Sequence, residues 1–430
     1  MPVGIPMVAI GESTIFVSDG NYSSKYPKAH EFLPSGVPFV SANNLRDGRI
    51  VRDNLKYISD ELHASLKKGH VRTGDVLLVT RGSLGMTALV TEEFDDANIN
   101  AQLVLLRADN KTIDSRYLFF VTNSPEFQSQ VASNATGTAQ PQLPIAPLER
   151  LTIPLPRLAL QRRIAGILSA YDELIENSKK RIRLLETMAS ALYSEWFVQF
   201  RFPGHEILPS VASPLGDIPQ GWEATTLGSH LAALESGKRP KGGIRDVEDG
   251  VPSIGAENIN GIGRHDFTSE KFVPRDFFRK IRKGVVQNRD VAIYKDGAYI
   301  GKSSYFRDGF PHSECCVNEH VFLLRADGAA LKQNALYLWL QELDTIHAIR
   351  ATNANAAQPG INQKSVSGLK LILPDTETAA HFDRLVEPKL AEIIRLAKGI
   401  QNLRRTRDLL LPRLLSGQVE LLNKITERHA

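Results

Sequence analysis

Gly36-Val37-Pro38-Phe39-Val40-Ser41-Ala42-Asn43-Asn44-Leu45 returns 214 residues later as Gly250-Val251-Pro252-Ser253-Ile254-Gly255-Ala256-Glu257-Asn258-Ile259. Leu105-Leu106-Arg107-Ala108-Asp109 returns unchanged, 218 residues later, as Leu323-Leu324-Arg325-Ala326-Asp327. Shorter matches fill the interval in the same order. Gly69 with Gly74-Asp75-Val76 corresponds to Gly284 with Arg289-Asp290-Val291, Tyr117-Leu118-Phe119 to Tyr337-Leu338-Trp339, and Gln140-Pro141 to Gln358-Pro359. A duplicated segment of this length is a whole domain with its connector, because solenoid repeats have periods of about 20–50 residues. Two similar domains present two similar surfaces, so a bipartite partner is expected.

With 430 residues the chain supports two or three domains, each able to bury a core. Two cysteines do not make a disulfide framework and fit a reducing compartment. The first ten residues lack the basic and apolar regions of a secretory signal, and no run of 18 apolar residues occurs. A cytoplasmic protein is therefore expected. The net charge of +4 and pI of about 8.9 permit nucleic acid as a partner without requiring it.

Residues 1–157 combine short apolar strands, such as Val76–Val79 and Leu103–Leu106, with loops, and residues 216–376 repeat that texture. Helices are expected at Ser115–Thr122 and Ala329–Glu342. The expected fold class is α+β, with two similar mixed α/β domains. Each domain is followed by a heptad seam. The first contains Ile164, Leu168, Tyr171, Ile175, Ser178, Ile182, Leu185, Ala189, Leu192 and Trp196. The second contains Phe382, Val386, Lys389, Ile393, Leu396, Ile400, Leu403, Arg407, Leu410 and Leu414. Neither seam is stable in water, and the simplest partner of each is the other, as an antiparallel coiled coil. Pro388 and Pro412 predict kinks or restarts, and Gly417 predicts a helix stop.

The resulting layout is a domain at 1–157, a central helix at 158–200 and a Pro/Gly-rich linker at 201–215. A second domain at 216–376, a distal helix at 377–417 and a tail at 418–430 complete it. Residues 164–196 span about 50 Å as a helix. Paired recognition units on B-DNA sit about 34 Å or more apart. The helix pair thus suits a spacer between two half-sites.

Several motifs together resemble the specificity subunit of type I restriction–modification systems. They are Gln142-Leu143-Pro144-Ile145-Ala146-Pro147-Leu148 leading into Ile153-Pro154-Leu155-Pro156, Gln161-Arg162-Arg163-Ile164-Ala165, and Ala191-Leu192-Tyr193-Ser194-Glu195-Trp196-Phe197. Phe200-Arg201-Phe202-Pro203-Gly204, Ile218-Pro219-Gln220-Gly221-Trp222 and Leu411-Pro412-Arg413-Leu414-Leu415-Ser416-Gly417 extend the likeness to nearly the whole chain. The resemblance implies two target-recognition domains, each reading half of a split site in double-stranded DNA. It also implies helices that help dock two copies of a modification subunit. S-adenosylmethionine, ATP and Mg would then belong to partners, the modification subunit methylating adenine and restriction subunits cleaving DNA. No cofactor is expected in this chain.

Phosphate contacts supply affinity and base contacts supply sequence choice. Candidate phosphate ligands are Lys25, Lys28, Arg46, Arg49, Lys67, Lys68 and Arg81 in the first half. In the second half they are Lys238, Arg239, Lys241, Arg279, Lys280, Arg282, Lys283 and Lys302. Asn43, Asn44, Gln140, Gln142, Asn258 and Gln358 carry the donors and acceptors that read base edges. Asn44 and Asn258 occupy equivalent positions, as do Gln140 and Gln358, which favours scaffold roles. Positions that differ are better readers if the half-sites differ: Asn43 against Glu257, Arg81 against Asp296, and Ser83-Leu84 against Ala298-Tyr299.

Gly297-Ala298-Tyr299-Ile300-Gly301-Lys302-Ser303 is one residue short of a phosphate-binding loop. His312, Cys315, Cys316 and His320 match no common zinc spacing, so no metal is expected there. The chain has no Pro-Pro pair, which the catalytic loop of an adenine methyltransferase would carry. The alternative to DNA reading is an interaction scaffold with two protein-binding heads.

Overall fold

The computed structural model describes residues 5–22, 26–137, 140–241, 243–244, 247, 249–297, 299–352 and 360–418. The chain divides into two compact units, Met1–Leu174 with Leu403–Ala430, and Ile175–Asn402.

In the first unit Met7–Ala9 pairs antiparallel with Thr152–Pro154. A four-stranded antiparallel sheet has the order Phe16–Asp19, Leu103–Arg107, Val76–Val79, Thr87–Leu89. A three-stranded sheet has the order Lys56–Ile58, Val37–Val40, Asn98–Ile99, with the last two strands parallel and Phe39 opposite Asn98. The second unit repeats all three. Glu223–Thr226 pairs with Lys370–Leu373. The four-stranded order is Leu231–Ser236, Val321–Ala326, Asp290–Tyr294, Ser303–Phe306. The three-stranded order is Phe272–Val273, Val251–Ile254, Cys316–Val317, again parallel in its last pair with Ser253 opposite Cys316. The quoted repeat Gly36–Leu45 thus contributes the central strand of each smaller sheet.

Both faces of the larger sheet are covered, so its strands read as continuous apolar runs. Strand side chains alternate between faces. Val76, Leu78, Val104 and Leu106 pack against Tyr117, Leu118 and Phe127 from the helices Ser115–Thr122 and Pro125–Ser133. Leu77, Val79, Leu103 and Leu105 pack against Val40, Leu45, Phe94 and Ile99.

The repeated Arg of Leu-Leu-Arg-Ala-Asp has a structural explanation. Arg107 binds the buried Asp75 through two parallel hydrogen bonds of 2.8 and 2.7 Å. Arg325 binds the buried Asp290 in the same way, at 2.7 Å for both bonds. Bidentate pairing of this kind is specific to arginine. Gly20 and Gly237 each follow the first strand of their larger sheet, at Asp19 and Ser236, and mark close backbone approach. A Cβ on Gly20 would collide with the Asn100 carbonyl, and one on Gly237 with the Val317 carbonyl.

The long helices run Leu158–Tyr193, followed by a π-helical turn Ser194–Val198, and Thr376–Leu415. In the first unit Ile164 and Leu168 share a core with Leu411, Leu414 and Leu415, and Leu410 packs against it. Tyr171 and Leu403 are half-buried, and Asp172 pairs with Arg407 at 2.5 Å. Arg407, a polar intruder in the seam, therefore has a charged partner. In the second unit Ile175, Ile182, Trp196, Ile393, Leu396 and Ile400 are buried, and Leu185 and Leu192 are half-buried. There Arg181 meets Glu392, and Phe197 meets Phe382 at a ring separation of 4.6 Å. The two segments in that unit are therefore antiparallel.

Three expectations need correction. The helix Thr376–Leu415 continues unbroken through Pro388 and Pro412. A proline removes a single backbone donor, and the turns on either side are held by Val386, Leu390, Leu411 and Leu414, all buried. The distal helix is also buried on more than a heptad stripe. Leu390, Ile394 and Ala397 are enclosed beside the seam, and Glu387 receives Arg307 and Asn334 from the globular part of its own unit. Finally, the helix expected at Ala329–Glu342 is confined to Gln333–Trp339.

The linker is ordered across its expected end. Ser210–Ser213 forms a hairpin with Gly216–Pro219, and Phe202 stacks on Trp222 at 4.9 Å. Gly417, at φ +73°, follows the distal helix as its stop. Among the described residues no helix is long and apolar enough to cross a membrane.

Candidate nucleic-acid interface

In the first unit, the chain leaving strand Phe16–Asp19 brings several predicted residues together. Asn21 donates to the Lys68 carbonyl at 2.7 Å, and Lys68 Nζ meets Asp19 Oδ1 at 3.0 Å. The Arg81 guanidinium lies over the Tyr22 ring, 4.8 Å from its centre. Tyr22 is half exposed, and partial burial raises its phenol above the ordinary range. Arg81 forms an isolated β-bridge with Gln142, whose backbone also pairs with Thr136. Gln140 and Gln142 are exposed in that loop. An exposed aromatic ring with cations and amides around it can stack on a base, meet a phosphate and read a base edge.

The other first-unit candidates are more scattered. Lys28, Asn43, Arg49 and Lys67 are exposed. Arg46 pairs with Asp53 at 2.8 Å, both well exposed, so the pair contributes little to stability. Lys25 lies outside the described residues.

In the second unit Lys238 and Arg239 line a cleft of about 340 Å³ with Pro240, Ile244, Ser253, Lys271, Asn318, Glu319 and His320. This cleft mixes charge signs. Arg239 faces Glu319 at 3.6 Å, and Lys271 holds Glu257 at 2.7 Å. Asp296 bridges to Gly360, as Arg81 does to Gln142, and accepts from His320 at 2.9 Å. The same place in the fold therefore carries a cation in one domain and an anion in the other. Lys302 lies over the Tyr299 ring at 4.4 Å. Lys241, Arg279, Lys280, Arg282 and Lys283 are exposed. Gln358 and Ala298 lie outside the described residues.

Asn44 and Asn258 are withdrawn from the DNA-facing set, because both are buried and internally bonded. Asn44 Oδ1 accepts from the Ser41 amide at 3.0 Å, and its Nδ2 donates to the Asp53 carbonyl at 3.1 Å. Asn258 Oδ1 accepts from the Asp266 amide at 3.0 Å. Each organises the loop after the central strand of its smaller sheet.

The discounted motifs have structural roles. The amides of Gly301 and Lys302 donate to the carbonyls of Tyr294 and Tyr299, so they face the turn itself. Cys315 and Cys316 are buried, which raises their thiols to about 12 and about 11 respectively. His312 turns to Glu270 and His320 to Asp296, so the four candidate zinc ligands do not converge. Sequence reasoning missed Tyr22 and the grouping of His265 and Glu270 with His312. An aromatic two residues after Gly20 is the one sequence signal for Tyr22.

Residues 20–187 match the family described as the type I restriction modification DNA specificity domain. The type I restriction enzyme MjaIX specificity subunit of Methanocaldococcus jannaschii is 23% identical over 93% of this chain and 90% of its own length. The MjaVIII specificity subunit of the same organism is 26% identical over 91% of this chain and 88% of its own. The HindI specificity subunit of Haemophilus influenzae is 20% identical over 89% and 94%. Over nearly its whole length the chain is similar to specificity subunits of type I restriction–modification systems. The crystal structure of a type I restriction–modification system S subunit from M. genitalium shares its fold, with a TM-score of 0.55 over 95% of each chain at 16% identity. The family match falls on the first repeat of this chain. The second repeat is established by its strand order, which survives where the sequence has diverged.

Arg81→Ala is expected to lower DNA affinity about tenfold and to reduce the salt slope of binding by about one. Asn44→Ala should instead lower stability and leave that slope unchanged. Anisotropy titrations of the assembled complex at several salt concentrations measure both.

Proposed function

We propose that this chain is the sequence-reading, non-catalytic subunit of a type I restriction–modification complex, and that each recognition domain reads one half of an interrupted DNA site. The domains correspond to residues 1–157 and 216–376. The two long helices set the distance between the half-sites and dock two copies of a modification subunit. Adenine methylation with S-adenosylmethionine, and ATP- and Mg-dependent cleavage by restriction subunits, belong to those partners.

One observation carries this reading. Two domains share a strand order and a buried Arg–Asp pair, yet differ in sign at the equivalent surface positions Arg81 and Asp296. A duplicated framework with divergent outward residues is what reading two different half-sites requires. Phosphate-facing cations supply affinity that falls with salt, and the divergent positions supply discrimination.

Reconstitution tests the proposal. The purified chain alone should bind DNA weakly and methylate nothing, and addition of the cognate modification subunit should produce adenine methylation at defined sites. A scaffold for two protein partners would show no sequence preference and no salt-dependent DNA affinity.

A further inference from the structure

We propose that His63, His70 and Asp96 bind one divalent transition-metal ion, of the zinc class, on the first recognition domain. The three residues are far apart in sequence. His63 lies in the helix Asp60–Ser65, His70 follows the Lys67-Lys68 loop, and Asp96 occupies a left-handed turn at φ +57° after Glu92–Phe94. The fold closes them together. The Asp96 amide donates to the Val71 carbonyl, and the rings of His63 and His70 stand 4.4 Å apart.

Both histidine-to-carboxylate separations fit coordination. His63 Nε2 is 3.2 Å from Asp96 Oδ2, and His70 Nδ1 is 3.5 Å from Asp96 Oδ1. Ligands bound tetrahedrally at about 2.0–2.1 Å lie about 3.3 Å from one another. All three residues offer ligand atoms within 4.8 Å of one another.

Hydrogen bonding fixes the decisive nitrogen. His70 Nε2 is 2.7 Å from the Leu66 carbonyl, which can only accept, so Nε2 carries the hydrogen. The neutral ring then presents the Nδ1 lone pair to a carboxylate oxygen. A cation placed between these two lone pairs would be attracted to both. A ring N–H donated to a backbone carbonyl is also the usual support of a metal-bound histidine. Asp96 is largely exposed, so a fourth coordination position opens to solvent.

A second cluster, His265, Glu270 and His312, does not have this geometry. Both Nε2 atoms converge on the single Glu270 Oε1, His265 at 2.6 Å and His312 closer still. Those are hydrogen-bond separations with no room for an ion between the ligands. The proposed ion would brace the helix Asp60–Ser65 against the Asp96 turn, on either side of Lys67 and Lys68.

The test uses the untagged full chain without DNA, so its result is independent of sequence recognition. Cobalt(II) titrated with visible absorption should show one tetrahedral site per chain, without a sulfur-to-metal charge-transfer band, and zinc should displace it. Asp96→Asn preserves a residue suited to the left-handed turn, and it and His70→Gln should each weaken binding about tenfold or more. His312→Ala should leave binding unchanged, and circular dichroism checks that each variant is folded. Absence of a stoichiometric site would overturn the proposal, leaving a proton on His70 as the cation. Loss of the site in His312→Ala with retention in Asp96→Asn would overturn it equally.

Discussion

Arg325→Ala is expected to destabilise the second recognition domain by about 3–5 kcal/mol. Arg325 makes two bonds to Asp290, a third to Glu235 at 3.0 Å and a fourth to the Val285 carbonyl at 3.0 Å. The Asp290 side chain is 1% exposed. Burial already raises its carboxyl above the ordinary range despite the opposing pull of Arg325. Removing the guanidinium leaves a buried carboxylate whose remaining partner is the Gln287 amide. Lysine cannot replace it, because an ammonium does not form the two parallel bonds. Adding Asp290→Asn should recover part of the loss, since the stranded charge is then gone. All three tryptophans, Trp196, Trp222 and Trp339, lie within Ile175–Asn402. Tryptophan fluorescence during urea unfolding therefore reports on this unit. A loss below about 1 kcal/mol would show that the repeated arginine is not a keystone of the sheet.

On the proposed function, exchanging residues 1–157 for the corresponding domain of a type I specificity subunit should replace one half of the methylated motif and preserve the other half. The expectation follows from separate cores and separate surfaces. The first domain buries Val76, Leu78, Val104 and Leu106 on one sheet face and Leu77, Val79, Leu103 and Leu105 on the other. The second has its own cluster around Ile254, Ala292, Val321 and Leu323. The first core is completed by Ile164, Leu168, Leu411 and Leu414 from the long helices. The graft must therefore preserve apolar contacts at Tyr117, Leu148 and Ile153, or the domain will lose its seat. Sequencing of methylated adenines reads the outcome. A change in both half-sites would show that the domains do not read independently.

Much of this architecture was legible in the sequence, because duplication states it twice. The 214- and 218-residue offsets correspond to the two parallel partners Phe39–Asn98 and Ser253–Cys316. The heptad seams anticipated helices whose observed extents are Leu158–Tyr193 and Thr376–Leu415. Pro388 misled because its local cost is small beside the burial of a 40-residue helix along two rows. Asn44 and Asn258 misled for a different reason. The same amide can cap a turn or read a base, and only burial separates the two uses. The pairing of Tyr22 with Arg81 and the His63–His70–Asp96 group were illegible, since loop closure in space leaves no periodicity in the chain. Opposite signs at Arg81 and Asp296 were visible as a difference, but their equivalence needed the matching bridges to Gln142 and Gly360.

The proposed function requires one chain to read two separate half-sites at a set distance. Single-molecule mapping of methylated adenines in DNA from cells carrying the chain with its modification partner tests it most directly. The expected result is one motif made of two short specified blocks separated by an unspecified spacer of constant length. A single uninterrupted motif, or two blocks at variable separation, would contradict it.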